Sequence, residues 1–309
     1  MNGKGLNGIA MAMAVLFCMA VFWAAPGTAA AEEQWTDVVQ RLGDNGKVNW
    51  SEGWLEAVGI GVPPERHYGK PQARPMALRA ARLDAYRNLL EVTNGVRITS
   101  ETTVRDFATE SDVIRSQVEG MVKGAQVVNR EYMSDGTVEV TIRMSLHGGF
   151  AQLVLPREVK QVPEVRQVEP EQPASPAPAP VPTERSPGSP PAHDGGRSYT
   201  GLVVDTRGLS ARPAMAPRIL DEDGREVYGS AYVSREYAVQ QGMSGYSKEL
   251  SAAQTNPRVT NNPATVKALR TEGPGNADLV VSNADARMIR GASENLSFLK
   301  KCRVMIVLD

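Results

Sequence analysis

Ser297 and Lys300 stand three residues apart, the spacing at which one helical turn brings a lysine amine to a serine hydroxyl and arms it for acyl transfer. No K-T-G or S-D-N partner accompanies the pair, and so short a pattern arises readily by chance. His67, His147 and His193 are the natural proton carriers near neutral pH. None belongs to an H-E-x-x-H zinc pattern, and their settings (a Pro-Gly loop, a Gly-Gly pair, a Pro-rich stretch) read as surface. Asp221-Glu222-Asp223-Gly224 gathers the carboxylates a calcium ion wants, but no glutamate closes an EF-hand, and Asp-Gly is turn chemistry in its own right. Gly59-Ile60-Gly61 lacks the third glycine and following helix of a dinucleotide site, so it reads as a strand passing close to a neighbour. Cys302 opens an apolar run with no histidine near it and reads as a small buried hydrophobe. The expectation is therefore no catalytic, metal-binding or cofactor-binding residue and no cofactor.

The elements that must carry these residues fall into two sets. In the first, Trp54 to Val62 reads as a strand, and Leu78, Ala81, Ala85, Leu89 and Val92 mark one face of a helix over 76–94, ended at Asn94-Gly95. Val96 to Val104 predicts a second strand. Thr109 with Asp112 has capping-box spacing and predicts a second helix through Val113, Ile114, Val118 and Met121. Ala125 to Met133 and Thr137 to Leu146 form a hairpin about Ser134-Asp135-Gly136, with Val138, Val140, Ile142, Met144 and Leu146 alternating inward. The predicted order is β-α-β-α-β-β, an α+β fold with a mixed sheet and two helices. Arg79, Arg82 and Arg87 lie off the helix stripe and are the candidate partner-binding face.

Ala57-Val58-Gly59-Ile60-Gly61, the run Ala77-Leu78-Arg79-Ala80-Ala81-Arg82-Leu83-Asp84-Ala85-Tyr86-Arg87-Asn88-Leu89-Leu90, then Asn94-Gly95-Val96 and Val118-Glu119-Gly120-Met121-Val122-Lys123-Gly124-Ala125 together resemble the LPP-twenty family of bacterial envelope lipoproteins. The same stretch, about residues 50–147, is similar to the N-terminal domain of flagellar assembly protein T. The resemblance implies a cell-envelope protein without a known catalytic centre, in some relatives part of periplasmic flagellar rings.

Residues 1–31 read as a secretory signal: Lys4 in a basic start, a mostly apolar Ile9–Trp23, and Ala29-Ala30-Ala31 before a cleavage point. The apolar core is shorter than the ~20 residues of a membrane span. Phe17 before Cys18 stands where a lipoprotein signal requires a small residue, so lipidation is not expected. A domain over 32–155 follows, then a Pro-rich tether over 156–198 that cannot bury a core, then a second α+β domain over 199–309. In that domain strands are expected at 199–204, 218–220, 226–228, 278–282 and 302–308, with helix over 284–301 and irregular loops over 242–275. The tether holds no apolar set to dock the domains, so each is expected to fold alone.

Lys plus Arg total 34 against 35 Asp plus Glu, which leaves no basic surplus for nucleic acid. The sequence thus points to a non-enzymatic periplasmic or secreted protein, an adaptor or structural component of an envelope assembly, flagellar ones included. Its expected partners are envelope or flagellar proteins, not nucleic acid; it is not an integral membrane protein, and an oligomer is left open. The alternatives are a periplasmic binder of a glycan or small solute, held by the glycine-rich loops of the second domain, and a Ser297–Lys300 acyl enzyme.

Overall fold

A long helix can lie directly on a strand only if neither surface carries bulk, and the first domain is built on such a contact. The computed structural model describes residues 37–156, 199–291 and 296–309; the signal segment, the tether and His193 lie outside them. The first domain runs β1 (Val39–Arg41), β2 (Gly46–Asn49), β3 (Trp54–Gly61), α1 (Ala73–Gly95), α2 (Val104–Thr109), α3 (Asp112–Lys123), β4 (Gln126–Tyr132), β5 (Val138–Ser145) and α4 (Gly149–Val154). Its sheet has the order β1-β2-β3-β5-β4, and every pairing is antiparallel. Ala77, Ala81, Ala85, Leu89 and Val92 of α1 are fully buried on it. Ala77, not the half-buried Leu78, begins the stripe.

A Cβ placed on Gly59 would collide with Ala85 N and Ala81 O, and one on Gly61 with Ala77 O and Ala81 N. The two glycines are therefore what lets the main chains of β3 and α1 touch. Beyond Ala57, where β2 ends, α1 also serves the free edge of β3. Asp84 Oδ2 accepts from Ile60 N at 3.0 Å, and Asn88 Nδ2 donates to Val58 O at 2.7 Å.

The α+β class holds, but the predicted β-α-β-α-β-β order and mixed sheet do not: two short strands precede β3, and Val96–Val104 is no strand. There Thr99 Oγ1 accepts from Glu101 N and Thr102 N, and Ile98 N bonds Thr102 O, so a side chain turns the backbone before a ladder can form. Only an isolated bridge, Arg97 to Thr103, remains. The capping box also lies earlier than predicted. Thr103 and Asp106 exchange the two bonds at the start of α2, while Ser111 caps α3 without a side-chain bond.

The second domain runs β6 (Gly201–Asp205), β7 (Ile219–Leu220), β8 (Glu226–Tyr228), α5 (Arg235–Gln241), β9 (Gly245–Ser247), α6 (Leu250–Thr255), β10 (Pro263–Glu272), β11 (Asp278–Val281), α7 (Asn283–Gly291), α8 (Leu296–Lys300) and β12 (Val304–Val307). They make a seven-stranded mixed sheet of order β8-β7-β11-β10-β6-β12-β9. Continuous apolar runs, Leu202-Val203-Val204 in β6 and Val304 to Val307 in β12, are buried on both faces, as parallel strands inside a sheet require. The expectation of loops over 242–275 fails, because β9, α6 and the ten-residue β10 occupy that stretch.

The domains are docked. Met215 N and Ala216 N donate to Arg97 O and Ile98 O, Gly148 N to Val239 O, Ser51 Oγ to Tyr246 O and Ser100 Oγ to Glu272 O. Trp50 meets Tyr246 edge-on at 5.9 Å between ring centroids, and one apolar cluster runs through both sheets. The docking set lies in the domains' own surfaces rather than in the tether.

Candidate functional site

Ser297 and Lys300 lie on α8 and are both exposed, while Phe298 and Leu299 between them are buried. The turn thus presents its serine and lysine to solvent, and its apolar residues to the core. The acidic loop is a turn, as expected, with Gly224 at φ +77°. Asp221 within it is not solvated but fully buried. It accepts from Arg290 Nη1 at 2.9 Å and Arg225 Nε at 3.0 Å, and from the backbone of Asp223 and Arg225. Burial alone would raise this carboxyl, but the hydrogen bonds from Arg290 and Arg225 outweigh it and take it down to about 2. Its lone pairs are spent on arginines, and among the described residues no cluster of His, Cys, Asp and Glu is arranged to hold a metal.

The glycine-rich loops suspected of holding a ligand are occupied by the protein itself. Space over Gly242 is filled by His147, that over Gly245 by Met305 and Arg258, and that over Gly273 and Gly275 by Ser100 and Arg97 of the first domain. His147 is accordingly no surface histidine. Its ring sits in the domain seam between Gly53 and Gly242, both at positive φ, and its Nδ1 is buried without a hydrogen-bond partner. The cavity beside it, lined by Trp50, Leu155, Met215 and Tyr246, measures about 20 Å³, room for one water and not for a glycan.

Burial first, and then the charge of Arg258, depress the His147 pKa below its ordinary value. A histidine whose folded pKa lies below its unfolded one contributes stability that is complete above the unfolded value of ~6.5 and declines as pH falls below it. The expected result is a urea midpoint that drops between about pH 7.5 and pH 5.5, and a shallower drop for His147→Gln. Parallel pH profiles for the two proteins would contradict it.

Cys302 is buried, and burial pushes its thiol up to about 11, with Tyr228 and Arg258 pulling weakly the other way. It occupies the left-handed position (φ +54°) that ends α8, where Cys302 N bonds Leu299 O and Arg303 N bonds Phe298 O. This is a Schellman end with cysteine in the usual glycine place. Iodoacetamide at about pH 8 is expected to leave Cys302 unmodified in the native protein and to alkylate it in denaturant; rapid native labelling would show the thiol accessible.

The candidate face on α1 is only partly as expected. Arg79 and Arg87 are exposed, and Leu83 lies one turn from each, so these three share the side away from the sheet. Arg82 lies to the flank, half-buried, with Nε unpartnered. The sequence reading missed the apolar members of this side, Leu83 at 59% exposure and Met76 at 37%. Their signal was a helix with apolar residues on two opposite sides, which one stripe on a sheet does not explain. On the far face of the sheet, by contrast, charges are matched. Glu56 takes Lys47 Nζ and Arg143 Nη2, each at 3.1 Å, and Arg143 lies 4.1 Å over the Trp54 ring.

Residues 201–309 match the family model described as the second domain of Treponema pallidum Tp0624, so the C-terminal domain is similar to that domain. The match leaves the first domain and its helix face outside it. Comparison with curated proteins finds no match for the chain. Among the described residues no helix is long and apolar enough to cross a membrane.

Proposed function

We propose that this protein is exported on residues 1–31 and serves in the cell envelope as a non-enzymatic adaptor, the docked domains forming a rigid body that presents the outer side of α1 to a protein partner. The observation that carries this reading is that side itself. Arg79 and Arg87 flank the exposed Leu83, and neither arginine has an ion-pair or hydrogen-bond partner among the described residues. The resemblance of residues 50–147 to the LPP-twenty family and to the N-terminal domain of flagellar assembly protein T supports the envelope setting, and a flagellar assembly is one member of that class. Tight internal filling of the seam and of the glycine loops favours the adaptor over a solute binder.

The test is affinity capture of the tagged protein after mild cross-linking of intact cells. Wild type is expected to retain a defined partner, and Arg79→Glu with Arg87→Glu to lose it while keeping the same thermal transition. Undiminished capture by the double variant would remove α1 from the binding surface, and a cytoplasmic location of the native protein would end the envelope reading.

A further inference from the structure

Beside the outer side of α1, the chain between β3 and the helix folds back to form a wall, and between wall and helix lies a groove of about 660 Å³. Val62, Pro64, Pro75, Met76 and Leu83 line it, with Arg79 as its charged member. Val62 and Leu83 are 57% and 59% exposed. Such an apolar concavity is of the size that takes several side chains. Arg79 is the charged residue of its lining, and the adjoining chain is net basic: from Val62 to Asp84 it carries Arg66, Lys70, Arg74, Arg79 and Arg82 against Glu65 and Asp84. None of these cations forms an ion pair among the described residues; Arg74 lies 5.6 Å over the Tyr132 ring, and Arg82 Nε has no partner.

We infer that this groove is the docking site for an acidic, apolar peptide segment of a partner protein, one in which Leu-, Ile- or Phe-type side chains enter the groove and neighbouring Asp or Glu meet Arg79. This deepens the adaptor reading and rests on it. Charge complementarity selects the occupant, since apolar filling alone would accept any sequence, whereas Arg79 in the lining and the net-basic chain beside it reject basic and favour acidic ones. A second copy is disfavoured by the same charges. A two-fold contact sets a patch against itself and would bring two net-basic surfaces together. A bilayer is disfavoured by shape, because interfacial binding sinks an outward apolar face into the lipid and the apolar residues here line a recess.

A random peptide library displayed on phage, panned on the full mature chain, tests the inference. Enriched peptides are expected to combine acidic with large apolar residues, and to bind about tenfold more weakly to Leu83→Glu and to Arg79→Glu, a loss equal to ~1.4 kcal/mol each. Both substitutions are at exposed positions, and thermal unfolding monitors the fold. Failure to enrich any peptide, enrichment of peptides without acidic residues, or binding indifferent to both substitutions overturns the inference. Co-sedimentation with phosphatidylglycerol vesicles that Leu83→Glu abolishes would assign the groove to lipid, and a dimer in sedimentation equilibrium that the same change dissociates would assign it to a second copy; either result overturns it as well. Envelope capture that survives both groove variants would sink the groove and move the adaptor's contact off this side of α1, whereas wild-type protein that captures nothing sinks the adaptor reading itself.

Discussion

Gly59→Ala is expected to cost ~3 kcal/mol or more, because the added methyl meets main-chain atoms, Ala85 N and Ala81 O, rather than a side chain that can swing away. Relief requires α1 to lift from β3 along its alanine stripe, which strips contacts from Ala77, Ala81 and Ala85, all now fully buried. Gly120 provides the control. It lies exposed within α3, and a Cβ there meets nothing within 4 Å, so Gly120→Ala removes only the helix penalty of glycine and should stabilise by ~0.5–1 kcal/mol. Urea denaturation at neutral pH measures both. Since one apolar cluster runs through both domains, the change is expected to move a single transition. Similar effects at the two glycines would mean that β3 and α1 are not in main-chain contact.

Alternation made β5 readable, and the small residues on both partners made the β3–α1 contact readable as a close approach. What escaped has physical reasons. The three- and four-residue β1 and β2 are too short to show a period, and their hydrogen bonds to β3 form only once β3 is in place. Residues 96–104 have strand composition, but Thr99 spends its hydroxyl on the following backbone, a local competition that composition does not show. β10 did carry a signal, with Ala264, Val266 and Ala268 buried between exposed Thr265, Lys267 and Leu269; the Asn, Gly and Pro around it obscured that alternation. At the candidate site the arginines were visible as charges off the stripe, whereas the groove was not. It needs the Pro-rich wall brought against Met76 and Leu83, which is a tertiary fact. The role of His147 was hidden likewise, since its neighbours Gly53 and Gly242 are remote from it in sequence.

Arg258→Met is expected to be a strongly destabilising exchange of a charged side chain. From its position between α6 and β10, Arg258 reaches back beneath the domain seam and donates to Cys302 O at 2.8 Å, to Gly242 O at 3.2 Å and to Gln241 O. Gln241 and Gly242 close α5, and Cys302 follows α8. One guanidinium thus satisfies carbonyls left open at two helix ends and places its charge where both helix dipoles are negative. Methionine keeps the bulk but supplies no donor; a carbonyl left unpaired away from water costs ~1–3 kcal/mol, and with Cys302 buried and Gln241 and Gly242 half-buried a total loss of ~2–4 kcal/mol is expected. Arg258→Lys should recover only part of this, because an ammonium cannot span three acceptors in a planar fork. The surface pair Arg270–Glu272, 3.8 Å apart with both side chains about half exposed, sets the baseline, and Arg270→Ala should stay within ~0.5 kcal/mol. A second consequence ties Arg258 to His147. Removing the guanidinium takes away the charge that opposes protonation of the imidazole, so the His147 pKa should rise toward its ordinary value and the loss of stability between about pH 7.5 and pH 5.5 should become shallower in Arg258→Met than in wild type. Urea titrations of wild type and the three variants at both pH values measure the two effects together. A large neutral-pH loss with an unchanged acid slope would mean that Arg258 supports the helix ends without influencing His147, and a loss no greater than that of Arg270→Ala would mean that water replaces its bonds at no cost.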